Sequence, residues 1–198
     1  MQADTEVRDR LIDSARNCFV QKGYAATSVQ EIVAAARVTK GAFYYYFASK
    51  DEVLELLHDQ FLESELALAD ELRRAGGSPA QRLRQMVADL VASIAQYRQN
   101  VRIFFQEVDH LPEVRRREIE ARRRIYQAYV EEIVREGVEQ GEFRPDLDTI
   151  ITTLGIFGLV NYTYRWLQTD GRLSVEEVTR LLADMLLKGI VAVKEDEG

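Results

Sequence analysis

The chain has 198 residues, 46% hydrophobic and 30% charged, with a net charge of −7 and only three prolines. That is enough apolar material for one or two packed domains, and the scarcity of proline points to an all-helical chain. One cysteine, Cys18, excludes an internal disulfide; Met1 to Glu6 lack the basic and apolar regions of a secretory signal, and the aliphatic-rich stretch Leu154 to Val160 is too short to span a bilayer, so a cytoplasmic protein without a membrane partner is expected.

Val7, Leu11, Ala15, Cys18 and Phe19 repeat at helical spacing and mark an amphipathic helix ending at Lys22, with Gly23 free to take a left-handed cap. Cys18 on that apolar face reads as a buried thiol. A second helix starts at Thr27 or Ser28, because Thr27…Gln30 and Ser28…Glu31 both fit a capping box ahead of Val29, Ile32, Val33 and Ala36. The turn is Arg37-Val38, and Thr39 caps a short third helix. At roughly 100° per residue, turning Phe43 and Phe47 inward points Gly41, Tyr44 and Tyr45 outward and leaves Lys40 on the flank. Phenols bond phosphate or lie against sugar, and a glycine lets backbone approach closely, so this surface suits a DNA groove. Ser49…Glu52 is a further capping box that sets Lys50 at the first turn of a fourth helix, within reach of phosphate.

The run Thr27-Ser28-Val29-Gln30-Glu31-Ile32-Val33-Ala34-Ala35-Ala36-Arg37-Val38-Thr39-Lys40-Gly41-Ala42-Phe43-Tyr44-Tyr45-Tyr46-Phe47-Ala48-Ser49-Lys50 resembles the DNA-binding signature of TetR-family repressors. Arg37 stands where the family usually has glycine, and Tyr46 where it usually has histidine. The resemblance implies a helix-turn-helix domain over residues 1–50 that binds double-stranded operator DNA, and a helical ligand-binding and dimerisation domain over 51–198. The expected DNA-binding residues are Thr27, Ser28, Arg37, Thr39, Lys40, Gly41, Tyr44, Tyr45, Tyr46 and Lys50. Residues 1–50 hold seven Lys/Arg against five Asp/Glu, so the remainder carries an excess of nine anions. Affinity for DNA must then come from local placement of cations.

Beyond Lys50 the chain reads as helix after helix, about nine in all. One runs from Asp51 to Arg74 and breaks at Gly76-Gly77; Ser78-Pro79 restarts the next, with Leu83, Val87, Leu90, Val91, Ile94 and Tyr97 on its apolar face. A shorter segment holds Val101 to Phe105. A long helix follows from Pro112 to Gln140, then helices over about 148–168 and 174–193, the last opened by the capping box Ser174…Glu177. Gly155 and Gly158 lie one turn apart in an apolar helix, where glycine costs about 1 kcal/mol against alanine, and close approach of another helix compensates most simply. The family resemblance implies that the last two helices build a four-helix bundle in a homodimer, through Gly155, Gly158, Leu182, Met185 and Leu186; an intramolecular core is the alternative.

His58 and His110 carry no metal-ligand spacing, and no metal or cofactor is expected. The arginine clusters 115–117 and 122–124 read either as a solvated helix face or as the mouth of a pocket for an anionic ligand. No nucleophile elbow, dinucleotide-binding glycine pattern or convergent carboxylate–histidine set is present, so no catalytic residues and no enzyme are expected. The segment Asn161 to Leu167 with Gly171 to Glu177 is similar to TetR-family repressors of fatty-acid or sterol catabolism, and this resemblance implies an acyl-CoA effector that releases the operator. Val87, Val91, Phe104, Phe105 and Tyr126 would hold the acyl part, and Arg123, Tyr162, Arg165 and Trp166 the nucleotide end, where an arginine fork pairs with aromatic stacking surface. The alternatives are a regulator of efflux or detoxification that answers an uncharged hydrophobic ligand, and a helical interaction module without ligand.

Overall fold

The computed structural model describes residues 2–192, with side chains from 5 onward except those of 72, 73 and 75. These residues form α1 (Gln2–Lys22), α2 (Val29–Ala36), α3 (Lys40–Tyr46), α4 (Lys50–Ala75), α5 (Pro79–Gln96), α6 (Arg98–Gln106), a 3-10 turn (Val108–His110), α7 (Glu113–Glu139), α8 (Thr149–Asn161), the single turn α9 (Thr163–Trp166) and α10 (Val175–Ile190). No strand occurs among them, and the all-α fold matches the expectation from sequence. No helix among the described residues is long and apolar enough to cross a membrane.

Packing gathers the chain into two compact units, one of residues up to 63 with 97–120, the other of 64–96 with residues from 121 onward. The helix-turn-helix expected over 1–50 is therefore only part of the first unit. Val53, Leu54, Leu57 and Phe61 of α4 are fully buried and belong to that unit, so its core does not stop at Lys50. Its other large core residues are Leu11 and Phe19 of α1, Ile32 of α2, Phe43 of α3 and Val101 and Phe104 of α6, which packs on α1. Gly23 takes the left-handed cap with φ +84°, and its N–H donates to the Phe19 carbonyl at 2.9 Å, closing α1.

In the second unit α5 is central and packs against α8, α9 and α10. Its face of Leu83, Val87, Leu90, Val91 and Ile94 is fully buried, each side chain contributing about 1.5–3 kcal/mol relative to exposure. Two expected boundaries move. The helix expected over 148–168 is interrupted after Asn161, where the buried Thr163 hydroxyl donates to the Val160 carbonyl at 2.7 Å and the backbone bond from Arg165 tightens to Tyr162. The last helix ends at Ile190 because the chain pairs with residues 142–144: the Arg144 N–H donates to Ile190 at 2.8 Å and the Ala192 N–H to Glu142 at 2.9 Å. Val193, expected on that helix, lies outside the described residues.

Candidate nucleic-acid interface and effector site

Of the two capping boxes available at the second helix, the chain uses Ser28…Glu31. The Ser28 hydroxyl accepts from the Glu31 N–H, and the Glu31 carboxylate accepts from the Ser28 N–H at 2.9 Å. Thr27 is displaced from the role expected of it at DNA: its side chain is buried and its hydroxyl donates to the Gly23 carbonyl at 2.8 Å. Arg37 closes α2 at φ +55°, ψ +46°, the sole non-glycine residue with positive φ among those described. Thr39 then caps α3, its hydroxyl accepting from the Ala42 N–H at 3.1 Å.

Phe43 and Phe47 anchor this short helix in the core, which leaves its opposite edge to solvent. Tyr44 is 51% exposed and Tyr45 73%. Lys40 and Gly41 are exposed beside them, the Lys40 ammonium 5.9 Å from the Tyr44 ring, while Tyr46 is half-buried with its ring edge-on to Tyr45 at 4.8 Å. A Cβ added at Gly41 would meet only the Thr39 hydroxyl, at 3.7 Å, so none of the described residues crowds that surface. Ser28, Arg37 and Thr39 are exposed on the same motif.

Lys50 does not project outward as the phosphate reading requires. Its ammonium donates to the carbonyls of Tyr24 and Thr27, both at 2.9 Å, and sits 4.2 Å from the centroid of the Tyr24 ring. Two of its three protons are thereby spent on the loop that leads into α2. Tyr24, which the sequence reading passed over, is the hub of that loop. Its hydroxyl donates to Asp51, and burial together with that carboxylate raises the phenol well above its ordinary range. An aromatic residue directly after a helix-ending glycine is the signal that was available.

The expected effector residues divide between the units. In the first, Phe104 is buried against Phe61 and His58, centroids 4.9 and 5.3 Å away, and Phe105 is half-buried beside it. His58 is itself fully buried, its Nδ1 2.9 Å from the Leu54 carbonyl, and burial lowers its pKa. No group of residues placed to hold a metal ion occurs among those described. In the second unit Val87, Val91 and Tyr126 are buried, while Arg123 and Arg165 are exposed, as are Tyr162 (59%) and Trp166 (45%). The Arg165 guanidinium lies 6.0 Å from the Tyr164 ring. The arginines 115–117 are engaged inside the first unit: Arg115 forks onto Asp59 at 2.8 and 2.9 Å and pairs with Glu118, Arg117 pairs with Glu113, and Arg116 donates to the Asp109 carbonyl at 3.1 Å. That cluster is a paired helix face rather than a pocket mouth.

Glu65 of α4 is 5% exposed in the second unit, and burial raises its carboxyl to about 7 although the Arg123 charge works against the rise. Phe61, Glu65 and Ala69 are four apart in sequence, so an acid at a core position of an amphipathic helix was legible. On α8 and α10 an apolar face is open: Ile151, Leu154, Leu181 and Met185 are exposed, and a Cβ at Gly155 or Gly158 would meet nothing within 4 Å. Leu182 and Leu186, expected at the interface with Met185, are half-buried. Among the described residues none approaches the two glycines.

The family model for the tetracyclin repressor-like C-terminal domain matches residues 76–190, and that for bacterial regulatory proteins of the tetR family matches residues 11–57. The chain belongs to the TetR family of transcriptional regulators. Among its TetR-family relatives, the HTH-type transcriptional repressor KstR2 of Mycolicibacterium smegmatis is 27% identical over 96% of this chain and 93% of its own. The structure of ketosteroid transcriptional regulator KstR2 of Mycobacterium tuberculosis superposes with a TM-score of 0.88 at 27% identity, covering 94% of this chain and 95% of that one. AibR, solved in complex with isovaleryl coenzyme A and operator DNA, gives a TM-score of 0.81 at 26% identity over 92% of this chain and 98% of its own.

Proposed function

We propose that this TetR-family chain is a homodimeric repressor that binds double-stranded operator DNA through α2 and α3 and leaves it when a CoA thioester binds the second unit. The exposed edge of α3 supports the DNA half of the reading. Lys40 and Gly41 reach base edges, Tyr44, Tyr45 and Tyr46 and the hydroxyls of Ser28 and Thr39 serve backbone contacts, and Arg37 adds a cation at the turn. Two copies related by a two-fold axis set two such edges about one DNA turn apart. The unpartnered face of Ile151, Leu154, Gly155, Gly158, Leu181 and Met185 supports the dimer, because a partner helix supplies the close approach that these glycines lack. Action on an operator places the protein in the cytoplasm.

AibR's complex with isovaleryl coenzyme A is the observation that carries the effector class. Val87, Val91 and Tyr126 offer apolar burial for an acyl group, and Arg123, Arg165, Tyr162 and Trp166 stay exposed where phosphates keep their water. A ligand that favours one spacing of the two α3 edges over another changes operator affinity by its differential binding to the two states. The test is fluorescence anisotropy on operator DNA with acyl-CoA, free CoA and free acid added in turn. Release by the thioester alone is the expected result; equal release by the free acid overturns the CoA assignment.

A further inference from the structure

The second unit holds polar groups that its own core leaves unsatisfied. Tyr126 Oη, Thr153 Oγ1 and Ser93 Oγ have no hydrogen-bond partner among the described residues, although these side chains are only 3%, 0% and 7% exposed. A buried hydroxyl left without a partner is unfavourable, and native cores rarely carry several. These belong together. The Tyr126 ring meets Phe157 edge-on, centroids 5.3 Å apart. On α8, Phe157 lies one turn beyond Thr153 and one turn before Asn161, whose buried Oδ1 is also unpartnered. Tyr126 is within electrostatic reach of Glu65 on α4 and Asp89 on α5, and Asp89 lies one turn before Ser93. Groups on α4 and α5 thus lie within electrostatic reach of Tyr126 on α7, and α8, which carries Thr153 and Asn161, meets the Tyr126 ring through Phe157.

We infer that this cluster is the polar end of the effector site, and that the acyl group of the effector carries a neutral oxygen there, a ketone or a hydroxyl remote from the thioester. The inference rests on the CoA-thioester reading above and narrows it. A plain alkyl end leaves the Tyr126 and Thr153 hydroxyls dry and gains nothing from them. A carboxylate end has to approach Asp89, and above about pH 7 an ionised Glu65 as well, with Arg123 as the cation acting on Glu65. A neutral oxygen accepts from Tyr126 and Thr153 without that opposition, and a site built to hydrogen-bond such a group rejects the analogue that lacks it.

Calorimetric titration of the full chain decides the matter, with thioesters of equal carbon number bearing an alkyl end, a ketone or a carboxylate, and with CoA alone. The ketone is expected to bind about ten-fold tighter than the alkyl thioester, and the carboxylate more weakly than the ketone. Tyr126→Phe and Thr153→Val, neither of which breaks a protein hydrogen bond at the deleted hydroxyl, each reduce the ratio of ketone to alkyl affinity. Equal affinity for ketone and alkyl ends, tighter binding of the carboxylate, or a preference that survives both substitutions overturns the oxygen assignment and leaves the thioester reading standing. Binding of no thioester overturns both.

Discussion

The imidazole of His110 lies against the ring of Tyr24, centroids 5.2 Å apart and planes inclined by 37°. His110 also faces Glu107 at 3.4 Å, and Tyr24 reaches Asp51 through its hydroxyl and Lys50 through its ring face. The loop that delivers Ser28 to α2 is therefore gripped from the start of α4 and from the turn at 108–110. A shift of that turn changes what Tyr24 packs against, and the cap of α2 begins four residues later.

Tyr24→Phe keeps the ring contacts and removes only the hydrogen bond to Asp51. Bonds to charged acceptors contribute about 1.5–3 kcal/mol, so the variant is expected to unfold at lower denaturant and to bind operator more weakly than the parent. A chemical-denaturation curve read beside operator anisotropy checks both. Unchanged stability would mean that the phenol is held by packing alone.

Arg37 and Lys50 are expected to separate phosphate contact from loop support. Arg37 occupies the left-handed region at an exposed turn, where glycine is relieved by about 1 kcal/mol, so Arg37→Gly raises the Tm by about 2–4 °C. If its charge meets a phosphate, the same change lowers the salt slope of operator binding by about 0.9. Lys50→Ala does the reverse: it lowers the Tm, because two backbone carbonyls lose their donor, and leaves the slope unaltered. Operator titrations of both variants at several salt concentrations check this pairing.

Much of the first unit was legible because its signals are local. Ser28 and Thr39 announce helix starts through spacings of three residues, and Phe43 with Phe47 orients α3 without knowledge of anything distant. The partners of Lys50 were illegible for the same reason in reverse: they are carbonyls 23 and 26 residues earlier, and no periodicity reports a backbone oxygen. Thr27 and Ser28 were equivalent on paper, and burial of one decided between them. The break in the helix beyond Asn161 depends on one threonine bonding backward, and among the described residues nothing would meet a Cβ added at Gly155 or Gly158 of α8.

Gly137 is the plainest case of a requirement invisible to local pattern. It lies inside α7, where alanine is ordinarily better by about 0.5–1 kcal/mol. Here an added Cβ would stand 2.1 Å from Phe143 Cδ2, and the Phe143 N–H donates to the Gly137 carbonyl at 2.9 Å, which holds the ring in place. Gly137→Ala is expected to reverse the usual sign and destabilise by about 1–3 kcal/mol. Combining it with Phe143→Leu should cost less than the two changes summed, a coupling that a double-mutant cycle in denaturant measures.

Glu65 makes the last prediction, and its sign is set by burial. Desolvation lifts the folded carboxyl from an ordinary value of 4.5 to about 7, against the pull of Arg123, so the folded state holds a proton that the unfolded state has released. The stability tied to that proton is complete below pH 4.5 and is lost as pH rises through about 7. Glu65→Gln mimics the protonated form at every pH. Its stability should match the parent near pH 4.5 and exceed it by up to about 3 kcal/mol above pH 7. Because burial of His58 lowers its pKa, its neutral form is favoured by folding, and that contribution is present above pH 6.5 and fades as pH falls below it. Both proteins share the His58 term, so it cancels in the difference between them. Denaturant midpoints of parent and variant from pH 4.5 to 8.5 measure that difference; a constant gap across the range would show that Glu65 does not titrate in the window its burial implies.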